Sequence, residues 1–364
     1  MNKRIFLIIF VLFLIGTIIF VLEQQKVSPG SFFGGGVQVN ENEFPLAPEF
    51  NGVSGFLNTN KQPTLSDLRG KVVLVDFWTY SCINCIRTLP FLNAWYEKYH
   101  DKGLVIIGVH TPEFDFEKKK ENVRQALEQY HIQYIVIQDN DYVNWRLYQG
   151  GTGYWPRKYL IDAEGRVRYD HIGEGAYEET EQKIQELLAE AGNDVSDMGT
   201  TALEDETPRL RQTPELYAGY DFALPRGQDI GNKGGLKAGE IIDYVLPEPI
   251  KEDIIYLEGK WKSNRDHLKI EDEQQASVVL LFTSTAVNMV ADSLSGRIEL
   301  DVFLDGKYLT KEQAGKDISF DEQRSFVVID EPRLYNIFRG DYGSYTLKLT
   351  TISQDFTFNA FTFG

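Results

Sequence analysis

Cys82 and Cys85 are the chain's 2 cysteines, and they stand three positions apart. They directly follow the Val-rich apolar run Lys71 to Phe77. A run of that kind reads as a central buried strand. The segment after the pair reads as a helix, so Cys82 falls at a helix N-terminus. There the helix's partial positive charge favours a thiolate. Cys85, one turn in, is more sheltered and can reach back to close a disulfide. Cys82 is therefore expected to attack a disulfide, and Cys85 to resolve the mixed disulfide that forms. Two other uses fit less well. A structural disulfide across two residues closes too short a loop to stabilise much. A zinc site would need a second cysteine pair, which the chain lacks.

Several other groups could serve this pair. Asp76 interrupts the apolar strand, and a buried carboxylate is costly unless it has a use or is solvated. With a raised pKa it would move the proton of Cys85. The alternative is a surface-facing Asp at the strand end. Glu113 follows Pro112 just beyond the strand-like run Leu104 to Val109, at the edge where α/β sites form. It is a second proton-relay candidate. The adjacent His110 reads more simply as a structural residue. Trp155-Pro156 precedes the strand-like run Lys158 to Ile161, where a cis-Pro would present backbone groups to a substrate. Trp78 and Trp155 are the candidate substrate-contacting side chains. No cofactor and no metal are expected: the 5 His show no metal-helix spacing.

These residues need a scaffold, and from about Ala47 to Ala191 the pattern alternates strand and helix. Helices are expected over Leu89 to His100, Glu117 to His131 and Glu178 to Glu190. Tyr134 to Ile137 reads as a further strand. Lys158 to Ile161 and Arg166 to Tyr169 flank a hairpin turn. Such alternation places helices on both faces of one sheet. Gly192 to Thr213 is polar and reads as a linker. Beyond Pro214 short strand-like runs recur: Ile254 to Leu257, Ser277 to Thr283, Arg297 to Leu304, Ser325 to Ile329, Tyr345 to Thr350 and Phe356 to Phe363. That regular spacing predicts a β-sandwich.

Composition narrows the partners. Lys and Arg number 37 against 54 Asp and Glu, a formal charge of −17 over 364 residues. That balance excludes a nucleic-acid binder, which needs a basic face. At the N-terminus, Lys3 and Arg4 precede an apolar run from Ile5 to Leu22, which Glu23 to Lys26 end sharply. The run is near the lower length limit for a transmembrane helix. The early positive charges favour a cytoplasmic N-terminus with the remainder outside. A cleaved signal peptide is the alternative, but no small-x-small cleavage site follows. Both readings lead to export, into an oxidising compartment. Residues 27–43, with Gly34-Gly35-Gly36, read as a flexible spacer.

Val75-Asp76-Phe77-Trp78 followed by Cys82-Ile83-Asn84-Cys85 resembles the thioredoxin superfamily. Pro48-Glu49-Phe50, Leu65 to Lys71 and Tyr159 to Arg166 resemble its membrane-anchored TlpA-like branch. Trp78 to Cys85, His110-Thr111-Pro112-Glu113-Phe114, Gln212-Thr213-Pro214-Glu215 and the final Phe361-Thr362-Phe363-Gly364 are similar to the DipZ group. The resemblance implies an anchor over residues 1–26, a thioredoxin-like domain over 44–192 and a linker over 193–213. Residues 214–364 would form a β-sandwich similar to carbohydrate-binding modules. It also implies that Pro156 is the superfamily's cis-Pro, that Asp76 is its buried acid, and that Glu113 matches a glutamate near the site of TlpA-like reductases. Thr79 and Cys82 also make a T-x-x-C, as in peroxiredoxins, but the Pro expected several residues earlier is missing. Full-length DipZ proteins begin with a multi-helix membrane domain that supplies electrons, whereas this chain has one apolar run. The expected partners are therefore disulfide-containing exported proteins, a separate membrane electron donor and the membrane itself. A different class of function is a binding protein whose β-sandwich tethers a cell-envelope glycan or partner, with Trp261, Tyr308, Tyr335 and Phe338 as an aromatic sugar platform. Its simpler alternative is that these four side chains are core residues.

Overall fold

The computed structural model describes residues 44–271, 274–322 and 324–364. The expected membrane anchor and spacer lie outside the described residues. Among the described residues no helix is long and apolar enough to cross a membrane. Leu46–Gly364 form one unit.

The first half of that unit is a six-stranded mixed sheet. Its strands are β1 (Gly55–Leu57), β2 (Val72–Trp78), β3 (Leu104–His110), β4 (Ile135–Gln138), β5 (Arg157–Ile161) and β6 (Val167–Ile172). The spatial order is β1-β4-β3-β2-β5-β6. β2, β3 and β4 run parallel, and the other pairings are antiparallel. All seven residues of β2 are buried, as its continuous apolar run predicts. Helices α1 (Ile83–Tyr99), α2 (Lys120–Gln129) and α4 (Tyr177–Glu190) share a core with Leu74 and Trp78 on one sheet face. α3 (Val143–Gln149) covers the other face, where Trp145 meets Val75 and Phe77. Helices on both faces were expected. α1 begins six residues before the expected Leu89 and so carries Pro90 inside it. Its first six residues, Ile83 to Thr88, mix Ile and Cys with Asn, Arg and Thr and are too few to show a period before Pro90. What starts it is a cap: the Cys82 sulfur accepts the Cys85 amide at 3.4 Å. α3 is too short for periodicity to reveal. Its first amides are held by Asp139, from Asn144 at 3.0 Å and Trp145 at 2.8 Å.

The second half is all-β, with α5 (Tyr220–Ala223) as a single helical turn. Its strands are β7 (Leu216–Tyr217), β8 (Ile241–Tyr244), β9 (Ile255–Ser263), β10 (Leu268–Ile270), β11 (Ala276–Ser293), β12 (Ile298–Leu304), β13 (Lys307–Tyr308), β14 (Ile318–Asp321), β15 (Arg324–Ile329), β16 (Arg333–Thr351) and β17 (Phe356–Phe363). Hydrogen bonds link them into one 11-stranded sheet instead of two separate ones. The reason is the length of β11 and β16, which pair with each other along most of their span. Along its other edge β11 pairs with β9 in its first half and with β17 in its second. A register shift between Ser284 and Ala286 breaks the alternation, so the sequence shows only the first half of β11 as a strand.

The aromatic platform does not form. Trp261, Tyr335 and Phe338 are buried, and Tyr308 is half-buried with its ring 4.5 Å from that of Phe303. They pack inside the β half because large apolar side chains gain most from leaving water.

The linker is irregular in structure but fastened down. Val195 is buried. Glu181 of α4 accepts the Thr201 amide at 2.6 Å, and Gln185 donates to Met198 O at 2.8 Å. One hydrophobic cluster then runs from Leu74 and Leu89 through Tyr217 to Phe361. Arg87 of α1 adds a polar tie. It pairs with Glu174 at 2.7 Å and donates to Gly364 O at 2.9 Å.

Candidate active site

Cys82 and Cys85 stand where strand β2 ends and helix α1 begins. Both cysteines are free thiols and both are buried, Cys82 at 8% exposure and Cys85 at 1%. Cys82 occupies the N-cap of α1, where its sulfur takes the Cys85 amide hydrogen. The expected helix-terminus placement is met. Burial pushes the Cys85 thiol well above the ordinary range, and its hydrogen bond and charge interaction with Cys82 push the same way. Cys85 is therefore a proton-bearing thiol at neutral pH, which needs a base before it can resolve a mixed disulfide.

The candidate base, Asp76, lies on the adjacent strand, and its charge also raises the Cys85 pKa. Asp76 is 1% exposed, not surface-facing, and one carboxylate oxygen has no hydrogen-bond partner. Burial raises its pKa to about 7, against the opposing pull of Lys158. In register, Asp76 stands between Gly108 of β3 and Lys158 of β5. Gly108 leaves room for the neighbouring indole, since a Cβ there would sit 2.8 Å from Trp78 Nε1. Lys158 is fully buried, donates to Gly173 O at 3.1 Å, and has its pKa lowered by burial. The Asp76 charge opposes that lowering, as do the charges of Cys85 and Cys82. Sequence reading missed Lys158, although its register two residues past Pro156 places it opposite Asp76.

The Trp155–Pro156 peptide is cis, as the resemblance implies. Trp155 is half-buried and donates through Nε1 to Thr111 O at 3.1 Å, which fastens the loop before β5 to the loop after β3. Trp78 is fully buried and packs edge-on against His110 at 5.3 Å. It cannot touch a bound protein, so its part is to shape the core beneath the cysteines. His110 is fully buried, and burial lowers its pKa to about 3, so it is a neutral packing residue.

Glu113 lies in the loop after β3, at the sheet edge expected from the sequence, and it is buried. It accepts a hydrogen bond from Tyr217 of the β half at 2.6 Å. The group that ties its loop to the cysteines is Glu117, which sequence reading left as an ordinary helix residue. Glu117 is fully buried. One of its oxygens takes the Ser81 hydroxyl at 2.6 Å, and the other takes the Phe114 amide at 2.9 Å and the Glu113 amide. Glu117 thus bridges the residue before Cys82 to the loop that carries Glu113. Removing its charge in Glu117→Gln would set an amide against donors and is expected to cost about 2 kcal/mol or more. Urea unfolding of the variant measures that loss, and slower disulfide exchange should accompany it.

Known proteins resemble both halves of the chain. Residues 46–170 match the AhpC/TSA family, and residues 213–364 match the thioredoxin-like C-terminal domain family. The chain is 39% identical to the protein DipZ of Mycobacterium bovis over 269 residues, covering 72% of this chain and 37% of DipZ. It thus spans little more than a third of that relative's length. It is 29% identical to the thiol-disulfide oxidoreductase ResA of Bacillus anthracis, covering 51% of this chain and 97% of ResA. A solved structure titled as a putative thiol:disulfide interchange protein DsbE from Chlorobium tepidum is 31% identical, with a TM-score of 0.35 over 40% of this chain and 96% of that one. With its paired thiols at the start of α1, the chain joins an AhpC/TSA-type domain to a thioredoxin-like C-terminal domain and is a homologue of DipZ over 72% of its length.

Proposed function

We propose that the chain is a membrane-anchored, extracytoplasmic reductase of protein disulfides. The Cys82 thiolate attacks a substrate disulfide, and one substrate sulfur leaves. Cys85, deprotonated through Asp76, then attacks Cys82 and releases the second sulfur, leaving the Cys82–Cys85 pair oxidised. The substrates are disulfides of exported proteins, and a separate membrane protein returns the electrons. The apolar run from Ile5 to Leu22 supports the anchor and the outward orientation.

The observation that carries the reductive direction is the buried, proton-bearing Cys85 beside Asp76. A pair is oxidising when its reduced form is specially stabilised, as a favoured thiolate does. Here burial works against the thiolate at Cys85, so this thiol adds nothing of that kind. The test is the reduction potential of the pair, read by equilibrating the protein with thiol buffers. A value near or below about −250 mV supports a reductase. A value near about −120 mV belongs to a disulfide-forming oxidant and would reverse the direction.

A further inference from the structure

The first turns of α1 leave apolar surface beside the redox pair. Ile83, between the two cysteines, and Ile86, next to the second, are half-buried, and Pro90 is exposed. Positions three and four apart share a face of a helix. Cys82 at the N-cap, Ile86, Pro90 and Asn93 follow that spacing, so Cys82 heads a row that runs down α1. From Ile86 onward the row is one side of a groove of about 920 Å³, and Ile83 lines it too. Leu203 of the linker and Thr285, Ala286, Leu334 and Gly340 of the β half make the other sides.

We propose that this groove binds an extended stretch of polypeptide next to the disulfide of a protein substrate, with the β half as its outer wall. The proposal rests on reading Cys82 as the cysteine that a protein disulfide meets. A small disulfide needs only the sulfur, but a protein disulfide arrives with chain on both sides. That chain must lie on the surface around Cys82, and the groove starts there. Its length suits a short segment. From Ile83 to Asn93 the helix advances about 15 Å, which about four or five extended residues span.

The lining also suits a polypeptide. Ile83, Ile86 and Leu203 offer apolar contact to every second side chain of an extended segment. The pairing of β11 with β16 passes from Ser284–Gly343 to Ala286–Arg339, and Thr285 and Gly340 fall in that break. A break of this kind takes backbone out of the ladder, and backbone outside a ladder is what an extended peptide pairs with. Asn288 in the wall is 1% exposed, and its amide nitrogen has no hydrogen-bond partner. A peptide carbonyl would supply one. Glu204 and Glu206 stand against Lys316 and Arg339 around the groove, with Arg339 3.8 Å from Glu206, so it favours neither sign of charge. Among the described residues lining it, Tyr130 is the one aromatic. A sugar therefore finds no paired rings to stack on.

The test is single-turnover disulfide exchange by the full-length reduced protein, with oxidised glutathione and with mixed disulfides of glutathione and cysteine peptides as probes. The peptides extend from the cysteine on one side or the other by up to about six alternating Val and Ser residues. On one side, the half-saturating concentration should fall by about tenfold as the extension grows to about four residues, the scale of burying one aliphatic side chain. The limiting rate should stay level. Glutathione exchange gives each variant its own baseline, and a melting curve accompanies each. Leu203→Glu, at an exposed linker position, and Thr285→Trp, from the β half, should each abolish the gain with length. Leu203→Met should keep it. A gain that survives in either of the first two variants overturns the groove as the binding cleft. So does loss of the gain in Leu203→Met with an unchanged melting point. If glutathione reacts but length brings no gain in the parent, the groove falls and the reductase reading stands. If neither probe reacts, that reading falls and the groove with it.

Discussion

Cys82→Ser is expected to lower the rate of disulfide exchange by more than about a thousandfold, the scale on which loss of a nucleophile is felt. Its partner variant should fail at a different step. Cys85→Ser leaves the nucleophile in place at the N-cap of α1, so the first attack proceeds and the chain stops as a mixed disulfide with its substrate. Intact-mass measurement after mixing with oxidised glutathione separates the two. Cys85→Ser should carry one glutathione and Cys82→Ser essentially none. The asymmetry follows from burial: Cys85 has 1% exposure against 8% for Cys82, so substrate sulfur reaches the first cysteine only. Equal adduct on both variants would refute the assigned order of attack.

Asp76→Asn is expected to separate activity from stability. Asp76 binds its proton up to about pH 7 in the folded chain, against an ordinary value of 3.8. The unfolded chain therefore loses that proton first as pH rises. Stability tied to this group is fully present below about pH 4 and falls away as pH climbs to about 7. The loss is on the order of 4 kcal/mol. Asparagine cannot ionise, so the variant should outlast the parent in denaturant at about pH 8 and match it more nearly near pH 4. Exchange should move the other way. Without a base for Cys85, resolution should slow by about a hundredfold, and the rise in rate through neutral pH should flatten. A variant that gains no stability at alkaline pH would mean that Lys158 holds Asp76 ionised.

The redox centre was legible in the sequence because its signals are local. A Val-rich strand, an Asp within it and two cysteines at the next helix start are all read within fifteen residues, Lys71 to Cys85. The structure gathers Asp76 and the cysteine pair on the α1 side of the sheet. Lys158 escaped notice because its meaning depends on register between β2 and β5, and register is not written in either strand alone. Glu117 looked like a first-turn helix acid. Its use appears only when the loop after β3 folds against Ser81. Trp78 was misread because a Trp next to a CxxC pair suggests contact with substrate, while strand alternation sends it into the core with Leu74. The long strands β11 and β16 were cut short by the bulge and by polar residues such as Asn288 and Asn336. Asn336 Nδ2 donates to Asn288 Oδ1 across the sheet at 2.8 Å.

The hydrophobic cluster that passes unbroken from α1 to β17 also governs how the molecule comes apart. Two domains joined by a slack tether melt one after the other, each with its own enthalpy. Here the tether is fastened to α4, and the aromatic side chains at the junction belong to both halves. Loosening one half uncovers apolar surface on the other, so partial opening gains little entropy before it meets the full cost of the core. Local breathing near the cysteines is thereby coupled to the most distant strands. A destabilising change deep in the β half would be felt as a population of molecules whose thiols have lost their sheltered setting.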